Sequence, residues 1–178
     1  TDAGPVQGYN AQPIWSVDAA AFNAAYRPRT DHNLDFTVLT RYTPDAMRLF
    51  EAGFARKSRS PNLYQRYLWS TQPMAMLMNN FVGDGNGYVG NLDLRPEVAH
   101  TVSASGDWHD AAQTDWRFKA TAFYTYVQDY IDARRCNFGQ CGGQANLDAT
   151  TGFVNLQYVN QSARLYGFDM AGNLQLGQ

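Results

Sequence analysis

The chain is predicted to be all-β, a partial segment of an antiparallel transmembrane β-barrel, on three observations. Apolar and polar residues alternate with period two through five separate stretches. The connections between those stretches are short at one end and long at the other. Two tryptophans, Trp108 and Trp116, flank one of the short connections.

Composition frames this reading. The 178 residues carry a formal charge of −2, with 14% aromatic and 17% charged side chains. Tyr, Phe and Trp suit pleated surfaces. So small a net charge offers no concentrated basic face, so no nucleic-acid partner is expected. No apolar run approaches the roughly 20 residues of a membrane-crossing helix. Membrane-crossing strands escape such a scan, because lipid-facing and lumen-facing residues alternate. The start, Thr1-Asp2-Ala3-Gly4-Pro5, is not a signal peptide and reads as a processed end or a cut within a longer chain.

Taken in order, residues 15–27 (WSVDAAAFNAAYR) are ambiguous between a helix in a loop and a strand. Leu34, Phe36, Val38 and Tyr42 then alternate with Asp35, Thr37 and Arg41, and Phe50, Ala52 and Phe54 with Glu51 and Gly53. Val98, Val102, Ala104 and Trp108 alternate with Thr101, Ser103, Ser105 and Asp107. In WRFKATAFYTYVQDY, Trp116, Phe118, Ala120, Ala122, Tyr124, Tyr126 and Tyr130 oppose Arg117, Lys119, Thr121, Thr125 and Asp129. That stripe outruns an ordinary strand of about 5 to 6 residues. Finally Tyr166, Phe168, Met170, Leu174 and Leu176 oppose Gly167, Asp169, Asn173 and Gln175. In every stretch the apolar residues of this alternation are the even-numbered ones.

A soluble β-sandwich would alternate in the same way, so the connections decide. TPDA between Tyr42 and Met47, and HDAAQTD between Trp108 and Trp116, are short. The connections at about 58–95 and 133–152 are long and rich in Gly, Asn and Pro. This is the asymmetry of outer-membrane barrels, whose aromatic girdles sit at the membrane interfaces. Arg41, Glu51, Arg117, Lys119, Asp129 and Asp169 are then expected to face a watery lumen, since Arg or Lys on the lipid face costs roughly 2 to 4 kcal/mol at midplane.

Several local patterns carry possible chemistry. Cys136 and Cys141 in RRCNFGQCGG read as a small disulfide loop of an oxidising compartment, with no zinc ligands beside them. Met74, Met76 and Met78 would share one face of a strand and could offer thioethers to Cu(I), but Met is also a flexible gap-filler. GDGNGY at 83–88 lacks the spaced acids of a calcium loop and reads as a tight turn. His32, His100 and His109 are scattered and no Gly-x-Ser-x-Gly elbow occurs, so a hydrolase triad has no support.

Four motifs resemble one family. GFARKSRSPNLYQRY at 53–67 and GNLDLRPEVAHT at 90–101 resemble successive strand-and-loop signatures of TonB-dependent outer-membrane receptors. AFYTYVQDYID at 122–132 and VNQSARLYGFDM at 159–170 resemble two further ones. Leu92, Gln65 and Asp169 stand where that family has proline, glutamate and glutamate. The resemblance implies long extracellular loops and short periplasmic turns. It also implies that residues 1–178 are part of one receptor barrel domain, because five strands are fewer than the roughly 8 needed to close a barrel. The plug domain and remaining strands would lie elsewhere.

The implied function is energised import of a scarce nutrient, such as a ferric siderophore, another metal chelate or a cobalamin-like ligand, across the bacterial outer membrane. No catalysis and no cofactor are implied. Expected partners are outer-membrane lipid and lipopolysaccharide, the TonB complex acting through the missing plug, and the small-molecule or metal-chelate ligand. Arg56, Arg59, Tyr64, Arg66, Tyr67 and Trp69 are the candidate ligand-binding residues, since guanidinium groups suit carboxylate-like oxygens and aromatic rings offer flat surfaces. The competing reading pairs Arg56, Arg59 and Arg66 with loop carboxylates or lipopolysaccharide phosphates while Pro61, Leu63 and Tyr64 pack the loop down. The alternatives for the whole are a small outer-membrane barrel enzyme or adhesin, and a soluble β-sandwich binding module.

Overall fold

Each of the five alternating stretches forms a strand. The structure, a computed structural model, describes residues 13–78, 80, 82–112, 114–137, 139–141 and 154–176. In chain order the elements are α1 (Pro13–Ala24), β1 (Phe36–Asp45), β2 (Arg48–Arg59), α2 (Leu63–Tyr67), α3 (Pro73–Met78), β3 (Gly87–Val89), β4 (Glu97–His109), β5 (Trp116–Arg135) and β6 (Asn155–Leu174). The ambiguous stretch 15–27 thus resolves as helix through Ala24. None of the helices is long and apolar enough to cross a membrane.

The chain divides into two compact units. The strand unit comprises His32–Arg59, Glu97–Tyr130 and Ser162–Gln178; the loop unit comprises Thr1–Asp31, Ser60–Pro96 and Ile131–Gln161.

In the strand unit the order is β1-β2-β4-β5-β6. Antiparallel register sets Val38 opposite Phe54, Phe54 opposite Val102 and Val102 opposite Tyr124, so even positions stack with even positions across the sheet. The even face is bare: Val38, Tyr42, Val102, Phe118, Tyr124, Phe168 and Met170 are all exposed. For a water-soluble fold so continuous an apolar face would be a liability, whereas a lipid-facing band requires it.

The odd face carries the pairs that the lumen reading calls for. Arg41 donates from Nε (3.0 Å) and Nη2 (2.8 Å) to Glu51, its register partner. Arg117 Nε donates to buried Asp107 at 3.0 Å, and the hydroxyls of Thr101 and Thr125 lie 2.8 Å apart. Asp169, the last of the expected inward acids, is exposed.

Side-chain capping makes both short turns. Asp45 accepts from the Met47 amide at 2.9 Å and from the Arg48 guanidinium. Asp110 accepts from the amides of Ala112 (3.0 Å), Asp115 (3.0 Å) and Trp116 (3.2 Å). β1 runs on through TPDA to Asp45, which an edge strand allows because Pro44 has no ladder donor to lose. Beside these turns Phe50, Trp108 and Phe118 form a ring contact chain, with centroids 5.7 and 5.8 Å apart. Gly106 is what lets Trp108 lie down on the sheet, since a Cβ there would come within 2.3 Å of the indole.

The loop unit is built the ordinary way round. Tyr88, Leu94, Ile131 and Tyr158 form one buried cluster, and Met76, Val89, Cys136 and Cys141 form another. β3 pairs in parallel with the first residues of β6, Gly87 opposite Asn155. The cysteines are disulfide-bonded, as their spacing suggested, with Cα atoms 5.9 Å apart.

A candidate ligand-facing loop

The four family-like motifs place residues that hold the loop unit together. Asn62 caps α2: its Oδ1 accepts from the Gln65 amide at 2.8 Å, and Gln65 Oε1 accepts from the Asn62 amide at 3.0 Å. This reciprocal box works with Gln as with Glu, so Gln65 keeps the local geometry despite replacing the usual glutamate. The cap positions Arg66 on the inner side of the helix, where it is 6% exposed.

Arg66 forms a two-pronged pair with Asp31, both contacts 3.0 Å, and its Nη2 also donates to the Leu94 carbonyl at 2.8 Å. Among the described residues its buried Nε has no hydrogen-bond partner. Next to it, the Gly90 amide donates to Leu68 O at 2.7 Å and the Asn91 amide to Gln65 O at 2.9 Å. A Cβ on Gly90 would sit 2.7 Å from Leu68 N, so this backbone approach needs glycine. Asn91 Nδ2 reaches Tyr158 O at 3.1 Å, and Asn160 closes the other side, accepting from the Arg95 amide at 2.8 Å and donating to Arg95 O at 3.0 Å.

Three motifs distant in sequence, at 53–67, 90–101 and 159–170, therefore meet in this unit through Gln65, Arg66, Gly90, Asn91, Leu94, Arg95 and Asn160. Leu92, where the family has proline, keeps a structural task through its carbonyl, which accepts from Arg29 Nε at 2.8 Å.

The six candidate binding residues divide accordingly. Arg66 is a buried strut, and the Tyr67 hydroxyl donates to Arg27 O at 3.1 Å. Trp69 stacks on Phe22 with centroids 6.1 Å apart. Tyr64 is 51% exposed, and Leu63 beside it 74%, so neither packs the loop down. In the strand unit, Arg59 donates from Nε to Glu97 at 2.6 Å. Arg56 engages Leu34 O and the Ser58 hydroxyl, and shares the even face of β2 with Phe54. Tyr64, Arg66, Tyr67 and Trp69 thus belong to one unit, and Arg56 and Arg59 to the other.

Sequence reasoning gave no role to Asp31, nor to Asn91 and Asn160 within their motifs. Their side-chain partners Arg66, Tyr158 and Arg95 lie 35, 67 and 65 residues away, so no local pattern exposes these contacts. A loop-unit helix was missed as well. Met74, Met76 and Met78 lie on α3, not a strand: Met76 is 1% exposed and packed with Val89 and the cystine, while Met74 and Met78 are 66% and 77% exposed. A helix sends i+2 to the opposite side, so the three sulfurs do not converge. Among the described residues no cluster of His, Cys, Asp or Glu could hold a metal ion.

GDGNGY is a tight turn, with Gly83 and Gly85 at φ of 80° and 77°. Asp84 inside it accepts from Asn86 N and Nδ2, Tyr88 Oη and Asn80 Nδ2 at 2.8 to 3.0 Å. Desolvation would raise this carboxyl, but the four donors outweigh it and hold it at about 2. Burial first, and the bond to Asp84 second, push the Tyr88 hydroxyl well above its ordinary value.

A model of the family "TonB dependent receptor-like, beta-barrel" matches residues 8–178. The chain belongs to that family. Its members are outer-membrane β-barrel receptors and not enzymes, which puts the chain in the bacterial outer membrane. The siderophore receptor PirA of Pseudomonas aeruginosa is similar over 75% of this chain and 23% of its own, at 22% identity and TM-score 0.54. The copper transporter OprC is similar over 80% and 18%, at 16% identity and TM-score 0.52. PirA of Acinetobacter baumannii is similar over 79% and 20%, at 17% identity and TM-score 0.52. The chain thus spans about a fifth of the length of these solved receptors, and at such identities the likeness speaks for the fold. No curated protein sequence matches it significantly.

Proposed function

We propose that residues 1–178 are part of one barrel domain of a longer TonB-dependent receptor that imports a scarce nutrient. The cargo class is a ferric siderophore, another metal chelate or a cobalamin-like ligand. Energy would come from the TonB complex acting through a plug domain outside this chain, and the barrel would contact outer-membrane lipid and lipopolysaccharide. The observation that carries this reading is the family match along nearly the whole chain, with a sheet whose exposed face is apolar and whose other face bears ion pairs.

Within the proposed binding set, Tyr64 and Trp69 supply ring surface to the ligand. Arg66 and Tyr67 hold the loop that presents them. Arg56 and Arg59 contribute positive charge near the end of the single strand β2. Two of the solved relatives are siderophore receptors by name, which favours a ferric chelate as the first cargo to try.

The test is growth and labelled uptake in a strain whose full-length copy of this receptor is deleted, supplied with single iron chelates, cobalamin or metal complexes. One cargo class should fail to enter the deletion strain and be restored by the gene. Tyr64→Ala should then raise the uptake KM with little change in outer-membrane receptor level. Equal uptake of every cargo with and without the gene would overturn the proposal. Heat-modifiable migration of the purified protein in detergent separates a barrel from a soluble sandwich.

A further inference from the structure

Strand β6 has two edges, and they are filled differently. Its odd-numbered backbone groups turn to β5: the Asn155 carbonyl accepts from the Cys136 amide at 3.0 Å, just past the end of β5, and the Gln175 amide donates at 2.8 Å to Asp115 O, just before its start. The N–H and C=O of one strand residue point the same way and alternate along the strand. Even-numbered groups of β6 therefore turn to the outer edge. At the start of β6 that edge is taken by the segment 87–95. The Gly87 amide donates to Val154 O at 2.9 Å, and the parallel register of Gly87–Val89 with Asn155–Gln157 turns Leu156 and Tyr158 to β3. Side chains carry the seam on after β3 ends. Asn91 Nδ2 donates to Tyr158 O at 3.1 Å and Gln157 Nε2 to Gly90 O at 3.3 Å, while Asn160 joins the Arg95 amide and carbonyl at 2.8 and 3.0 Å.

The strand changes character where this seam stops. None of residues 154–160 is exposed, whereas Tyr166, Phe168, Met170 and Leu174 all are. The division between the two compact units falls at the same point, between Gln161 and Ser162. Among the described residues no strand lies along the outer edge from Ser162 to Leu174. That stretch carries the apolar even positions, and in lipid an unpaired backbone N–H or C=O has no water to turn to. A bare edge there is costly, so it calls for a strand. Ser162–Leu174 is also longer than the roughly 9 to 11 residues in which a tilted strand crosses a bilayer.

We infer that the segment 87–95 stands in for a barrel strand along residues 154–160, so that the receptor's next strand pairs with β6 over Ser162–Leu174 and goes no further. Two observations select a strand of the same receptor as the occupant. The edge continues an unbroken antiparallel series from β1 through β2 and β4 to β5, and only closure of that series removes edges altogether. Pairing with a second copy would leave each receptor's sheet open. Beside residues 154–160 the wall is then built from a connection, held by Gly87, Asn91 and Asn160 instead of a strand ladder. The inference rests on the membrane reading given under the proposed function.

The experiment places the photo-reactive residue benzoylphenylalanine singly at Leu156, Gln157, Tyr166, Phe168 and Met170 of the full-length receptor in outer membranes. Neighbouring strands lie about 4.8 Å apart, within reach of its benzophenone, and the cross-linked peptides are identified by mass spectrometry. Labels at 166, 168 and 170 should join, within one molecule, a peptide outside residues 1–178. Labels at 156 and 157 should reach the segment 87–95 and no peptide outside residues 1–178. A cross-link from 156 or 157 to the strand captured at 166–170 overturns the inference, because that strand would then run past Ser162. Capture of β5 alone at 166–170 overturns it too, and a cross-linked dimer there assigns the edge to a second copy and has the same effect. Heat-modifiable migration is read on the same samples. If labelled receptors show it and the cross-links disagree, the inference alone fails; if wild type itself lacks it, the membrane reading fails with it.

Discussion

The strand unit and the loop unit are folded from one chain by opposite rules. In the loop unit a core of large apolar side chains is inside, with Met76, Tyr88, Leu94, Ile131 and Tyr158 each under 9% exposed, although Leu63, Met74 and Met78 stay in the open. In the strand unit they are outside: Tyr166 is 78% exposed, Phe168 60% and Val38 57%, while the charges pair across the other face. The difference teaches that burial from water cannot be the organising term in the strand unit, where strand hydrogen bonding and odd-face pairing set the register and the apolar side chains answer to lipid. The loop unit, solvated by water, is held by burial, a disulfide and a charged strut.

The comparison can be broken first at the strut. Arg66→Ala removes the buried member of the Arg66–Asp31 pair, and removing one member of a buried pair costs about 3 to 5 kcal/mol. Limited proteolysis of the full-length receptor should then cut within 60–96 while the strand unit stays resistant. An Arg66→Met, Asp31→Leu double variant should recover much of the protection.

A second break concerns the two faces of the sheet. Ala104→Arg puts a cation on the even face near mid-band and should destabilise the folded barrel by about 2 to 4 kcal/mol in a lipid-bilayer unfolding titration. Thr121→Arg, on the odd face and in the row of Glu51 and Ser105, should change it by under about 1 kcal/mol. Equal costs would mean the faces do not differ.

The smallest effect sharpens the loop unit alone. Asp84 is held at about 2 by its four donors, below its ordinary value of 3.8. A depressed folded value means the turn gains stability above the unfolded pKa and loses it as pH falls from about 4 through about 2. A carboxyl NMR titration of Asp84 should show its midpoint near 2. Asp84→Asn should remove the acid sensitivity of the 80–88 turn.

Period-two alternation made the strand unit legible in sequence, because a side chain's face follows from its number once strand and register are set. The short turns were legible too, although the chain places β1 further into TPDA than the turn residues suggested. The loop unit was legible only in fragments. The disulfide followed from spacing, and GDGNGY from its glycines. Helix α3 was hidden because PMAMLM is too short for a helical period to declare itself. The Asn62–Gln65 box was the available signal for α2. Arg66, Tyr64 and Trp69 could be picked out as residues able to meet a ligand, but their different roles depend on Asp31, Leu94 and Phe22. These partners arrive from 28 to 47 positions away and no local pattern announces them.

The central claim is that even-numbered strand residues face lipid and odd-numbered ones face water. It is tested most directly by nitroxide labels placed singly at positions 101 to 105 of β4 and 119 to 124 of β5 in the full-length receptor in bilayers. Collision with oxygen and with a water-soluble nickel chelate is then read at each site. The expected result is strict alternation, with oxygen dominating at 102, 104, 120, 122 and 124, and the nickel chelate at 101, 103, 105, 119, 121 and 123. Uniform nickel accessibility at all positions, or the opposite parity, would contradict it.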